Sequence, residues 1–282
     1  MRRSDPAAVR EVQVRRRLDA EMVRRGVTAT RSEASLAIRS GRVTVAGRPA
    51  AKAGMLVAFD EPIALSGPPR RFVSRGGEKL EAALDRFGIE VRGRRALDAG
   101  ASTGGFTDCL LQRGVEHVVA VDVGYGQLDW GLREDHRVTV LERTNVRDMA
   151  PGSLPYAADL ITADLSFISL GLVLPALEQA AAETADLVLL VKPQFEAGRS
   201  DVGSGGVVSD PGVWERVLSS VAERVEGVGF EVRGMMASPL PGPAGNVEFL
   251  LHTGRPPSGG GKPVDSMILR AVEEGQGVRA RE

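Results

Sequence analysis

Lys192 and Asp164 are the residues of this 282-residue chain best placed to move a proton. Lys192 follows the apolar run Leu187-Val188-Leu189-Leu190-Val191, and Asp164 follows Leu160-Ile161-Thr162-Ala163. Short apolar runs of this kind read as buried strands, and an open parallel sheet binds its ligands beyond the carboxyl ends of its strands. An amine and a carboxylate at two such ends can hold an alcohol in place and take the proton it sheds. A second feature points to a nucleotide-type cofactor. Asp98-Ala99-Gly100-Ala101-Ser102-Thr103-Gly104-Gly105-Phe106 runs from a strand through small residues into a helix, a layout that lets backbone approach a ligand closely. The next strand, Val118-Val119-Ala120-Val121, ends in Asp122, an acid positioned to accept hydrogen bonds from both hydroxyls of a ribose. A dehydrogenase would want that acid too, but the sequence lacks the G-x-G-x-x-G that cradles a dinucleotide pyrophosphate.

These residues act together only if strands carry them to one edge. The pattern predicts strands at 95–99, 117–122, 137–141, 159–163, 186–191, 229–237 and 247–252, alternating with helical stretches in the order of an open α/β sheet. The last two are separated by the stiff loop Ser238-Pro239-Leu240-Pro241-Gly242-Pro243. Pro68-Pro69 marks a linker over 65–74, because consecutive prolines stay extended. The main domain is therefore expected over 75–255. Pro256-Pro257-Ser258-Gly259-Gly260-Gly261 then opens a C-terminal tail, 256–282, with a short helix around Met267 to Val272.

Upstream, residues 1–13 read as a flexible tail and 14–64 as a small α+β module. Leu18, Met22 and Val23 have helical spacing and Gly26 stops that helix. Thr30 or Ser32 caps a second, whose apolar face is Ala34, Leu36, Ala37 and Ile38 and whose end is Gly41. Val43 and Val45, a turn at Ala46-Gly47-Arg48-Pro49, and then Val57 and Phe59 predict small paired strands.

The net charge of -1 conceals an asymmetry: residues 1–80 hold 17 Lys/Arg against 8 Asp/Glu, +9, which leaves -10 for the rest. A basic module on an acidic body favours a polyanionic partner, since phosphate neutralisation supplies most sequence-independent nucleic-acid affinity. No apolar run approaches the ~20 residues of a membrane span, the N-terminus lacks the apolar stretch of a signal peptide, and one cysteine forms no internal disulfide. A soluble protein of the reducing cytoplasm is expected. Cys109 falls inside the helix after the glycine-rich loop and reads as core. His117, His136 and His252 lack metal-ligand spacing, so no metal is expected.

Leu18-Asp19, Arg31-Ser32 and the stretch Gly41 to Gly47 resemble the RNA-binding domain named after ribosomal protein S4. The resemblance implies that the second helix and following turn present Arg31, Arg39, Arg42 and Arg48 to structured RNA. Asp98 to Thr107 resembles the first motif of Rossmann-like class I methyltransferases, which implies a seven-stranded sheet with its last strand antiparallel. It also implies S-adenosylmethionine held by Asp98, Gly100, Ala101, Ser102, Thr103, Gly104, Gly105 and Phe106, with the acid facing the methionine end. Asp122 and Val123 would then border the ribose, Asn145 and Asp148 the adenine, and Asp164 the crevice itself. An antiparallel last strand puts Glu248 at the edge where Asp164 and Lys192 lie, and the helix before the first strand lays Lys79 across the pocket.

Lys79, Asp164, Lys192 and Glu248 resemble the tetrad of ribose 2'-O-methyltransferases, and more narrowly that of the TlyA-type, hemolysin A-like ribosomal RNA methyltransferases. The matching stretches are Ser74-Arg75-Gly76-Gly77, Asp122 to Leu128, Ala163 to Leu170, Val191 to Glu196, and Ser238 to Pro243 with Asn246-Val247-Glu248. The resemblance implies a monomer acting on ribosomal RNA or ribosomal subunits, with no membrane and no metal. Its product would be 2'-O-methylcytidine in the large-subunit 23S RNA, and also in 16S RNA for members extended at both ends, as Lys262 to Gln276 looks to be. Lys192 is the expected base, with Asp164 and Glu248 orienting it and Lys79 tuning its charge. A second ammonium and partial burial favour a neutral amine, while carboxylates oppose it. Two other readings stay open: a base N-methyltransferase, although Asp164-Leu165-Ser166-Phe167 replaces the usual Asn/Asp-Pro-Pro-Tyr/Phe, and a non-catalytic RNA-binding or hemolysin-like protein.

Overall fold

The computed structural model describes residues 15–28, 30–39, 41–67, 71–150, 152–203, 205–255 and 263–280. The expected tail at 1–13, the Pro68-Pro69 linker, the Pro256 to Gly261 stretch and the side chains of Ser32 and Leu36 lie outside the described residues. The chain divides into two compact units, Met1–Pro69 and Arg70–Glu282.

In the first unit, β1 (Arg15–Arg17) leads into α1 (Leu18–Arg24) and α2 (Arg31–Arg39). β2 (Val43–Val45), β3 (Arg48–Pro49), β4 (Leu56–Ala58) and β5 (Ile63–Leu65) follow. Leu18 and Met22 are fully buried against Ala34, Ala37, Ile38, Val43, Val45 and Val57, so two short amphipathic helices share one small core. Thr30 caps α2, its Oγ1 accepting from the Glu33 N–H at 3.2 Å. Ala46 and Gly47 carry φ of 48° and 75° between the paired residues Val45 and Arg48. Two successive positive φ angles are what a two-residue type I′ hairpin requires. The expected pairing of the Val57 strand differs. β4 pairs with β1, while β5, which the pattern did not single out, completes the hairpin sheet. Phe59 lies outside β4, exposed, with the Arg24 guanidinium 4.8 Å over its ring.

The second unit runs α3 (Gly76–Phe87), β6 (Arg95–Ala99), α4 (Gly105–Gln112), β7 (His117–Val121), α5 (Trp130–Arg133) and β8 (Val138–Leu141). It continues through β9 (Ala158–Ala163), α6 (Leu174–Ala180), β10 (Ala181–Val191), α7 (Pro193–Glu196), α8 (Pro211–Gly227), β11 (Glu231–Ala237), β12 (Phe249–Gly254) and α9 (Val264–Arg279). The seven strands of its sheet lie in the order β11-β12-β10-β9-β6-β7-β8, with β12 antiparallel to both neighbours. Period-two alternation assigns the faces. Ala96, Leu160, Val188, Leu190 and Leu250 pack under α3 and α4, whereas Leu97, Ile161, Leu187, Leu189 and Phe249 pack under α6, α8 and α9. Burial on both faces explains why Leu187 to Val191 of β10 reads as a continuous apolar run.

Cys109 is buried in the α3–α4 layer. Trp214 is fully buried, its indole N–H donating to Val208 O at 3.0 Å, while Trp130 is exposed. The helix near the C-terminus is longer than the stretch expected from the pattern. α9 spans sixteen residues and buries Met267, Ile268, Ala271, Val272 and Gly275 as part of the main core.

Candidate active site

The same alternation that builds the core selects the polar residues at its rim. Asp164 follows Leu160 and Thr162 on the α3–α4 face, Lys192 follows Val188 and Leu190, and Glu248 precedes Leu250. Val191 pairs with Phe249, so Lys192 and Glu248 stand opposite one another one step beyond the ladder. Leu189 pairs with Ala163, which puts Asp164 level with Leu190 on the neighbouring strand. Lys79 reaches this rim from α3.

The four residues form two ion pairs. Lys79 Nζ lies 2.5 Å from Glu248 Oε2, with side-chain exposures of 8% and 1%. Lys192 Nζ lies 2.6 Å from Asp164 Oδ1 and donates to Ser166 Oγ at 3.0 Å. Asp164 Oδ1 is buried without an aligned hydrogen bond from any described residue. The expected division of labour therefore changes: among the described residues Asp164 is the carboxylate paired with Lys192, and Glu248 is taken up by Lys79. The Pro241-Gly242-Pro243 bend closes over Glu248, since a Cβ on Gly242 would come within 2.5 Å of Glu248 Oε1.

The glycines of the loop are required by close packing. A Cβ on Gly100, whose φ is 87°, would lie 2.6 Å from the Asp164 carbonyl oxygen. One on Gly104 would lie 2.2 Å from Leu132 Cδ1, and one on Gly105 2.1 Å from Ser74 Oγ and 3.0 Å from Gly77 N. Gly105 thus seats the start of α3, the helix that carries Lys79. Phe106 is buried in the α3–α4 core and Ala101 is buried, while Ser102 and Thr103 are exposed.

Asp98 differs from the expectation of an acid open to the methionine end. It has no exposed surface; Thr107 Oγ1 donates to its Oδ2 at 2.6 Å and Thr162 Oγ1 to its Oδ1 at 3.1 Å. Burial pushes the carboxyl up to about 6, against the pull of those two hydroxyls. Asp122 is half-buried at the end of β7 and shapes the loop directly, accepting from Ser102 N at 2.7 Å and from Gly124 N at 2.6 Å. It lines a shallow pocket with Ala101, Ser102, Gly124, Gln127 and Glu142, beside exposed Val123. Asn145 caps a short turn, its side chain accepting from Arg147 N at 3.1 Å, and Asp148 pairs with Arg147 at 3.2 Å. Neither lines that pocket.

In the first unit Arg39 and Arg48 are exposed, Arg42 donates to Ser66 O at 3.0 Å, and Arg31 reaches Asp19 at 3.0 Å with 60% of its side chain exposed. Arg17 reaches the same Asp19 carboxylate at 2.9 Å, a convergence no local pattern announces. Around the tetrad, Ser166 and Glu196 are additions that the structure brings in. Their only sequence signals are short offsets, two residues past Asp164 and one helical turn past Lys192. His252 is buried in β12, 2.9 Å from Asp186, and His117 contacts Tyr156 Oη at 2.7 Å. Among the described residues no group of three or more His, Cys, Asp or Glu side chains could hold a metal ion.

The sheet order and the pocket at the carboxyl ends of its first strands define a Rossmann-like fold of the S-adenosylmethionine-dependent methyltransferases. The FtsJ-like methyltransferase family model matches residues 72–255 and the S4 domain model residues 16–63. The chain is 51% identical to the 16S/23S rRNA (cytidine-2'-O)-methyltransferase TlyA of Mycobacterium tuberculosis, covering 93% of this chain and 98% of that protein. It is 39% identical to hemolysin A of Brachyspira hyodysenteriae over 84% of this chain and 98% of that one. A solved structure from Streptococcus thermophilus superposes with a TM-score of 0.74 at 37% identity, over 96% of this chain and 100% of that one. The chain belongs to the FtsJ-like methyltransferase family and, within it, to the TlyA group that carries an S4 domain. Among the described residues no helix is long and apolar enough to cross a membrane.

Proposed function

We propose that this chain transfers a methyl group to the ribose 2'-oxygen of cytidine in ribosomal RNA, with Lys192 accepting the proton. The observation that carries the reading is the Lys192–Asp164 pair at the carboxyl rim, with the Lys79–Glu248 pair on the same face. Bound S-adenosylmethionine supplies an electrophilic methyl group. The residues present fit it: Asp122 offers a carboxylate to a ribose, and the small residues Ala101, Ser102 and Gly124 line the pocket beside it. The chain must then hold the acceptor hydroxyl in line and take its proton. Asp164 and Ser166 both contact Nζ of Lys192 and fix it in place, and the neutral amine is the form that accepts the proton. Lys79, its charge balanced by Glu248, is the proposed partner of the sugar.

The M. tuberculosis relative's name supports cytidine in both 16S and 23S RNA as the target. The proposed domain plan is an S4-like module at 14–64 and a catalytic domain at 75–255, with α9 of the C-terminal segment 256–282 packed into that domain's core. The S4-like module supplies phosphate contacts through Arg31, Arg39, Arg42 and Arg48, so the substrate is folded RNA or an assembled subunit, met by a monomer.

Labelled methyl incorporation into ribosomal subunits, with the methylated atom mapped, tests the reading. Wild-type protein should produce 2'-O-methylcytidine. Lys192→Ala should lose about 10²- to 10⁴-fold in rate, the range of general-base contributions, with cofactor binding retained. Full activity of that variant, or a methyl on the base, overturns the assignment.

A further inference from the structure

The loops leaving β9 and β10 carry Asp164 and Lys192, and their relative position sets the geometry of the pair. Lys192 itself supplies one tie between them, through Asp164 and Ser166. A second tie lies further along. Glu196, at the end of α7, accepts from Ser169 Oγ at 2.6 Å through Oε2 and from Leu170 N at 2.7 Å through Oε1. Its side chain is only 4% exposed. Arg224 from α8 completes the knot, donating to Ser169 Oγ at 2.8 Å and lying 3.7 Å from Glu196 Oε2.

Between the two ties the chain passes through Phe167 at φ 63°, a left-handed conformation that a side-chain-bearing residue adopts only at a cost. Such strain persists where the surroundings over-determine it. Here the loop is held on both sides of Phe167, at Ser166 by Lys192 and at Ser169 and Leu170 by Glu196. The Phe167 and Phe195 rings, 5.1 Å apart, stand between the ties. A carboxylate is kept in this enclosed place although burial raises its affinity for a proton, so the two accepted hydrogen bonds offset a real desolvation cost.

We infer that Glu196 is a positioning residue for methyl transfer: it holds the Asp164–Leu170 loop so that Asp164 meets Lys192. The inference deepens the proposed function and rests on it for the role of Lys192. The competing explanation is that Glu196 only caps the turn at Leu170, which would affect stability and leave the chemistry alone.

Total methyl incorporation into ribosomal subunits, measured on the full chain, reads the clamp, while mapping of the methylated atom reads the substrate assignment. The two can therefore fail separately. Glu196→Ala should lower kcat about 10- to 100-fold, the scale of a displacement near 1 Å, while cofactor Kd by calorimetry and KM for subunits stay within about threefold of wild type. Glu196→Gln retains one acceptor oxygen and should fall between the two. Ser169→Ala removes a single hydroxyl and should lower kcat in the same direction. Combined with Glu196→Ala it should cost little more than Glu196→Ala alone, because both break one linkage. Wild-type kcat in Glu196→Gln and Ser169→Ala, with only the melting temperature lowered, overturns the inference, as do additive losses in the double variant. A wild-type chain that methylates no ribosomal RNA overturns both it and the reading beneath it.

Discussion

Lys79 and Glu248 are 169 residues apart in the chain and meet at 2.5 Å with almost no solvent around either. An ion pair so enclosed repays its desolvation only while both partners are present. It joins α3 to the residue just before β12, the two places that deliver half of the tetrad.

Removing one partner should therefore cost more than removing both. Lys79→Ala or Glu248→Ala strands a buried charge and is expected to lose about 3–5 kcal/mol of stability in urea unfolding. Lys79→Met combined with Glu248→Leu should recover most of that loss. Methyl transfer should stay low in all three, and equal stability of single and double variants would refute the account.

Asp98 gives a pH signature. Its folded-state carboxyl titrates near 6, above the ordinary 3.8, so the folded chain binds this proton more tightly than the unfolded chain does. Its contribution therefore favours folding more as pH falls from above 6 towards 4, and that contribution is lost as pH rises through 6. Asp98→Asn should be more stable than wild type near pH 8, with the gap narrowing as pH approaches 4. Urea midpoints across that window check it; a constant gap would count against it.

Asp122 holds Ser102 N and Gly124 N as well as facing the pocket. Asp122→Ala should weaken S-adenosylmethionine binding about tenfold or more, the scale of a lost charge-assisted hydrogen bond. Calorimetric titration measures it directly.

Two glycines of α9 should respond oppositely. A Cβ at Gly277 meets nothing within 4 Å, so Gly277→Ala should stabilise by about 0.5–1 kcal/mol through the usual helix preference. At Gly275 the Cβ would fall 3.1 Å from Val247 and 3.2 Å from Phe249, the residues flanking Glu248. Gly275→Val should therefore destabilise by about 1–3 kcal/mol through overpacking. Melting curves separate the two.

Arg39 and Arg48 are exposed on the first unit. Each substitution to Ala should weaken RNA binding without changing base preference, and should reduce the slope of log affinity against log salt by about one. Unchanged slopes would remove these residues from the interface.

Much of this is legible in the amino-acid sequence. The apolar runs before Asp164 and Lys192 named both as strand-end residues, because a sheet buried on two faces leaves no other reading for them. Asp122 followed from the same logic. For Lys79 and Glu248 local pattern was silent; a helix turn and a strand start carry no mark of where they will meet, and only family resemblance singled them out. The C-terminal helix was underestimated because a moderate apolar pattern does not say whether a surface awaits it; Met267, Ile268, Ala271 and Val272 find one beneath the sheet.

What sequence determined alone was the set of groups: a glycine-rich turn, an acid after the second strand, and an amine and carboxylate at two strand ends. Periodicity and composition are local, and those features follow from them. What tertiary structure decided was partnership. Glu248 pairs with Lys79 rather than Lys192, Asp98 turns inward to Thr107 and Thr162, and Glu196 ties the loop after β10 to the loop after β9. Side-chain pairing across strands and helices depends on register, burial and distances of a few ångströms, which are set when the chain packs.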